Sequence, residues 1–267
     1  RLTTRLELVH DEGIIQWVRP DGKSQVTVHL NESDRSLDKV STVVIASQHS
    51  PDAGPNWPEP DDLTDEERRQ YIESEITKHV IEHAIPPSLL GNPQIIVNGT
   101  GSFPDPGGPY ADAGLTGRKI IVDTYGGGRH GGGAFSGKDP SKVDRSAAYY
   151  ARWVAKHVVA AGLAEKCEIQ VAYAIGISEP VGLRVSTFGT HSEALEGIPD
   201  STISSLIMKH FDWRPAAMIS DLELKRPIYR ETSSGGHFGR VPTDDGLFPW
   251  ERLDETRLES LRNHLRD

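Results

Sequence analysis

Gly114-Leu115-Thr116-Gly117-Arg118-Lys119 leads into Ile120-Ile121-Val122-Asp123-Thr124. The chain then enters Tyr125-Gly126-Gly127-Gly128-Arg129-His130-Gly131-Gly132-Gly133-Ala134-Phe135-Ser136-Gly137-Lys138-Asp139-Pro140-Ser141-Lys142-Val143-Asp144. Seven glycines fall between Gly126 and Gly137. So dense a run packs poorly and leaves its backbone open to close approach by a ligand. Five cations surround it: Arg118, Lys119, Arg129, Lys138 and Lys142. Bare N–H groups with converging cations describe a cradle for a polyphosphate. Glycine content alone reads equally well as a flexible connection; the cations tip the balance.

The residues after the loop predict a helix. Pro140 suits a first turn and Asp139 an N-cap, and the alanine-rich stretch runs to Gly162, a C′ glycine. Lys138 and Lys142 then flank a helix N-terminus, where the dipole favours anions and not cations. A bound anion would reconcile the two. Gly132-x4-Gly137-Lys138 approaches the P-loop pattern. Asp139 stands where that pattern needs a hydroxyl, so the match fails there.

Around this centre the chain predicts an α+β fold. Lys119–Thr124 reads as a strand feeding the loop. Val26, Val28 and Leu30 alternate on one face of a strand, and a second strand spans Val40–Ser47. Thr64-Asp65-Glu66-Glu67 forms a capping box for a helix that places Ile72, Ile76 and Val80 together and ends before Pro86-Pro87. Ile95–Val97 is a short strand. Glu168–Ile175 and Leu183–Phe188 read as neighbouring strands, followed by a helix over Asp200–Phe211. Asp221–Thr232 is irregular, Phe248-Pro249-Trp250 is a packed anchor, and Leu258, Leu261 and Leu265 mark a terminal helix. Paired strands followed by a helix, in both halves, distinguish this pattern from a doubly wound sheet. The Gly/Pro-rich stretch 98–109 divides residues 1–102 from 103–267.

The 267 residues carry a formal net charge of −10 and a mean hydropathy of −0.46. That acidity argues against sequence-independent nucleic-acid binding. The apolar runs are too short and too interrupted for a membrane span. Residues 1–7 carry no apolar signal region. The single Cys167 excludes an internal disulfide and reads as a small buried hydrophobe, which fits the cytoplasm.

The segments from Gly114 to Gly127 and from Gly131 to Ala147 resemble the signature of the S-adenosylmethionine synthetase (methionine adenosyltransferase) family. Arg19-Pro20-Asp21-Gly22-Lys23-Ser24-Gln25-Val26, Ala172-Tyr173-Ala174-Ile175-Gly176 and Gly236-His237-Phe238-Gly239-Arg240 match further runs in the same order. The resemblance implies repeated sheet-and-helix domains about a pseudo-threefold, with the family's middle and C-terminal repeats present. It implies ATP and L-methionine as substrates, magnesium and potassium as cofactors, and a homodimer or homotetramer with sites between subunits. The implied products are S-adenosylmethionine, diphosphate and phosphate. Another nucleotide-dependent phosphotransferase, or an inactive regulatory subunit of the same fold, are the alternatives.

By resemblance, Lys23, Arg118, Lys119 and Lys138 are polyphosphate contacts, with Lys138, Arg118 and Lys23 carrying catalysis. Lys142 is a contact to methionine and the phosphates. Asp144 is a magnesium ligand, although Ser141-x-x-Asp144 also reads as a capping box. Asp112 meets the methionine ammonium or the ribose, or caps a turn. Asp21 and Gly22 contact ATP, Ala134 touches it by its backbone, and Phe103 stacks on adenine or belongs to the core. Ile175 walls the nucleoside pocket or packs in a core strand. Two departures stand out: Ser102 occupies the position of the family's arginine, and Pro104 and Pro106 stiffen its loop. The family's opening Gly-His-Pro-Asp-Lys segment has no counterpart in residues 1–267 and Arg1 is not a translation start, so the resemblance predicts a chain incomplete for catalysis.

Overall fold

A computed structural model of the chain describes residues 1–267 apart from 32–35, 105, 112, 115, 116, 128, 130, 131, 193–198 and 264–267, and the side chain of Pro109. It divides into two compact units, Arg1–Gly114 and Leu115–Asp267. The architecture is mixed α+β, with small sheets covered by helices.

In the first unit, β1 (Val18–Leu30) and β2 (Leu37–His49) pair antiparallel, and β3 (Gln94–Val97) joins β2 in parallel. From Val43 to Ser47 every second residue of β2 is buried: Val43, Ile45 and Ser47. Helix α1 (Leu2–Asp11) contributes Leu2, Leu6 and Val9 to the same core. The capping box is formed as read. Glu67 N–H donates to Thr64 Oγ1 at 3.3 Å and Thr64 N–H donates to Glu67 Oε2 at 2.9 Å, opening α2 (Asp65–Ile76). Ile72, Ile76 and Val80 are buried together, with Val80 in the π-helical turn Thr77–Ile81 that continues α2. Val26, Val28 and Leu30 do alternate along β1 but each is about 40% exposed or more.

The second unit differs from expectation at two places beside the glycine loop. Residues 120–123 form one helical turn, α3 (Ile120–Asp123), instead of a strand. Thr124 Oγ1 donates to the Ile120 carbonyl at 2.8 Å, and the Asp123 carbonyl accepts the His237 N–H at 2.8 Å. These bonds override the β-branched bias of Ile-Ile-Val. The long helix α4 runs Val143–Ala160, three residues later than Pro140 suggested, with Lys142 at its N-cap. Asp139 is not the cap because its carboxylate accepts Ser141 N–H at 2.8 Å in a local turn. The C-terminus is as read: Gly162 has φ +82°. Leu163 N–H donates to Val158 O and Gly162 N–H to Val159 O, a Schellman ending.

β4 (Glu168–Ala172) and β5 (Gly182–Ser186) pair antiparallel. α5 (Asp200–His210) follows, capped at Pro199; Asp200 itself accepts from Thr187 Oγ1 at 2.6 Å. α6 (Pro215–Asp221) was not predicted, and α7 (Glu255–Asn263) was; Leu265 lies outside the described residues. Tyr149, Tyr150, Val154 and Val158 of α4 lie in one core with Ile203, Ile207, Met218, Trp250, Leu258 and Leu261. Trp250 is wholly buried, as an anchor should be. Cys167 is half-buried, and burial pushes its thiol up to about 12.

Candidate functional site

Lys138 leaves the glycine loop just before α4, and its Nζ lies 2.7 Å from Asp144 Oδ2 on the helix's first turn. Gly133 makes this approach possible. A Cβ built there would sit 2.8 Å from Asp144 Cγ and 2.9 Å from Lys138 Nζ, so any side chain would push the pair away. Asp144 is spent on Lys138 and not on a capping box. Lys142 Nζ lies 3.1 Å from Asp139 Oδ2. Bonds from Ser141 and Lys142 depress the Asp139 carboxyl to about 2.

The turn before α3 meets this loop. Gly117, at φ +84°, would bring a Cβ within 3.0 Å of the Ala134 methyl. Arg118 and Lys119 follow, both exposed. In the second unit Gly117, next to Arg118 and Lys119, approaches Ala134, and Gly133 approaches Lys138 and Asp144, whereas Lys142 pairs with Asp139. Ile175 is fully exposed in the turn after β4, so the core-packing alternative for it does not hold.

The first unit collects a separate group. Asp21, Gly22 and Lys23 follow one another on β1, and Lys23 is exposed opposite Ala46. Asp21 Oδ2 accepts Gly108 N–H at 3.2 Å. A Cβ at Gly22 would meet Leu6 Cδ2 at 2.6 Å. His49 clamps the loop carrying Ser102 and Phe103: Phe103 N–H donates to its Nε2 at 3.0 Å, and the Phe103 carbonyl accepts the His49 N–H at 3.0 Å. Nε2 accepts, so Nδ1 carries the proton and donates to Ser50 O at 2.8 Å. Phe103 is half-buried and Ser102 exposed. Ser102 borders a cavity of about 210 Å³ with His49, Asn98, Arg68 and Arg69. Asp112 lies outside the described residues.

Two profile matches cover nearly the whole chain. Residues 1–103 match the S-adenosylmethionine synthetase central domain and residues 106–252 match its C-terminal domain. The chain belongs to the S-adenosylmethionine synthetase family. It is 51% identical over 263 residues to an S-adenosylmethionine synthase of Corynebacterium kroppenstedtii, covering 98% of this chain and 60% of that protein. It is 50% identical over 267 residues to an S-adenosylmethionine synthase of Clostridium acetobutylicum, covering 99% of this chain and 61% of that protein. The chain therefore spans about 60% of the length of these synthetase relatives.

Sequence reading of the synthetase motifs missed three buried side chains behind the loop: Arg145, Tyr149 and His237. Arg145 and His237 stand inside the quoted motifs, but their burial depends on contacts up to 88 residues apart. Among the described residues no three His, Cys, Asp or Glu side chains gather to hold a metal. Asp144 is a single carboxylate committed to Lys138, which does not fit a divalent-ion site by itself. No described helix is long and apolar enough to cross a membrane.

Proposed function

We propose that this protein takes part in methionine adenosyl transfer: ATP, L-methionine and water give S-adenosylmethionine, diphosphate and phosphate. The observation that carries the reading is Lys138, held against Gly133 in a glycine-lined turn at the start of an 18-residue helix. The similarity to two S-adenosylmethionine synthases supports the same substrate chemistry.

The methionine sulfur attacks C5′ of ATP, the C5′–O bond breaks, and its electron pair leaves with tripolyphosphate. Water then cleaves that polyphosphate. Catalysis requires in-line alignment and stabilisation of charge on the leaving oxygens. In the second unit Lys138 and Arg118 supply positive charge, with Lys119, Lys142 and the backbone of Ala134 as further ATP contacts. In the first unit Lys23 supplies positive charge, and Asp21, Gly22, Ser102, Phe103 and Asp112 are its proposed ATP contacts. Asp112, Lys142 and Ile175 take the methionine side. Magnesium and potassium are the proposed ions, with Asp144 one magnesium ligand. A homodimer or homotetramer in the cytoplasm is the proposed setting, with neither nucleic acid nor membrane as partner.

Steady-state kinetics of Lys138→Ala, made in a full-length synthetase that contains this chain, test the assignment. Removing one group that meets developing anionic charge should lower turnover by about 10²–10³-fold with an unchanged circular dichroism spectrum. Undiminished turnover would reject Lys138 as a catalytic residue.

A further inference from the structure

Arg145 occupies the first turn of α4, yet it is only 4% exposed. A cation there faces an unfavourable helix dipole and a large desolvation cost. Among the described residues it makes no ion pair that would offset either. Its partners are neutral. Nη1 donates to Lys138 O at 2.6 Å and to Phe135 O at 3.0 Å, and Nε donates to Tyr149 Oη at 3.0 Å. The Tyr229 ring lies 4.2 Å from Cζ, close enough for a cation–π contact.

Those carbonyls are the two ends of one turn. Lys138 N–H also donates to Phe135 O, at 3.2 Å, and Gly137 closes the turn at φ +81°. One nitrogen of a planar fork therefore holds both ends of the segment that delivers Lys138. The far side of the fork is anchored in the core. Guanidinium only donates, so Tyr149 Oη accepts from it; the same Oη is hydrogen-bonded to His237 Nδ1 at 2.8 Å. The Tyr149 ring stacks on Trp250 at 3.7 Å, and Trp250 Nε1 donates to His237 O at 2.7 Å.

We propose that Arg145 is a positioning residue for Lys138: its buried guanidinium fixes the Phe135–Lys138 turn, and with it the amine that meets the polyphosphate. This rests on the reading that Lys138 binds tripolyphosphate. A lysine at 145 keeps the charge but offers no rigid fork, so charge alone does not substitute.

The test is a double-mutant cycle read by calorimetric titration of the full chain with inorganic tripolyphosphate, with melting temperatures recorded alongside. Arg145→Lys should weaken binding roughly tenfold or more, and Arg145→Lys with Lys138→Ala should bind no worse than Lys138→Ala alone. Full affinity in Arg145→Lys, or additive losses in the double variant, would overturn the proposal. If Arg145→Lys does not fold, Tyr149→Phe replaces it in the cycle, since it frees Nε and leaves the ring in place. A loss that vanishes in the Lys138→Ala background supports the proposal, and unchanged affinity or an additive loss overturns it. If Lys138→Ala itself binds tripolyphosphate as tightly as the unmodified chain, it is the functional reading that fails.

Discussion

Lys138 Nζ and Asp144 Oδ2 lie 2.7 Å apart, yet both side chains remain partly open to solvent, 29% and 53% exposed. Such a pair contributes about 0–1 kcal/mol to stability. With no metal bound, Asp144 and an incoming anion compete for the Lys138 amine. Asp144→Asn should therefore leave unfolding free energy within about 1 kcal/mol and tighten binding of inorganic tripolyphosphate in metal-free buffer. Weaker binding under those conditions would show that the carboxylate aims the lysine instead of competing for it.

Glu251 is the buried counterpart. Burial pushes its carboxyl up, but Arg152 at 3.0 Å, Lys156 at 2.7 Å and Gly239 N–H at 2.7 Å outweigh that and hold it below the usual range. Glu251→Gln leaves two cations underpaired and should cost about 3 kcal/mol, read as a lower denaturation midpoint at pH 7. A change under 1 kcal/mol would mean that the network is relaxed by solvent.

His237 predicts a pH dependence. Burial, then the charges of Arg145 and Arg240, hold its imidazole down at about 4. The unfolded chain takes up a proton near 6.5, whereas the folded chain does not until about 4. Stability should therefore fall as pH drops through that window, by at most about 3 kcal/mol from this group. His157, also lowered by burial, adds to the trend. In Tyr149→Phe, Nδ1 loses its hydroxyl partner and the dependence should shift. An identical stability profile between pH 4 and 7 in the two proteins would remove His237 from the account.

Local signals were legible and distant ones were not. Thr64 and Glu67 satisfy each other within one turn, so the capping box could be read directly. Gly162 was readable for the same reason. The glycine loop and its cations marked the candidate site, and the family motifs named its residues. Ile120-Ile121-Val122 misled because its conformation is settled by the distant backbone of His237. Asp139 misled because it bonds Ser141 within its own turn. Arg145 received no role from the sequence, because its burial depends on Phe135, Tyr229 and, through Tyr149, on His237.

Ser102 is exposed, so an arginine can replace it without overpacking. Ser102→Arg should lower the KM for ATP by roughly tenfold, the scale of one charge-assisted hydrogen bond, with the KM for methionine unchanged. No change in the ATP KM would indicate that Arg68 or Arg69, which line the same cavity, already fill the role.

The central claim is adenosyl transfer with loss of the whole polyphosphate, and the fate of the three phosphates tests it most directly. Phosphorus NMR of a full-length synthetase that contains this chain, supplied with ATP, methionine, magnesium and potassium, should show diphosphate and phosphate appearing in equal amounts, matched by S-adenosylmethionine and without ADP. Accumulation of ADP, with phosphate on another acceptor, would contradict the account and identify the glycine loop as the cradle of a phosphotransferase.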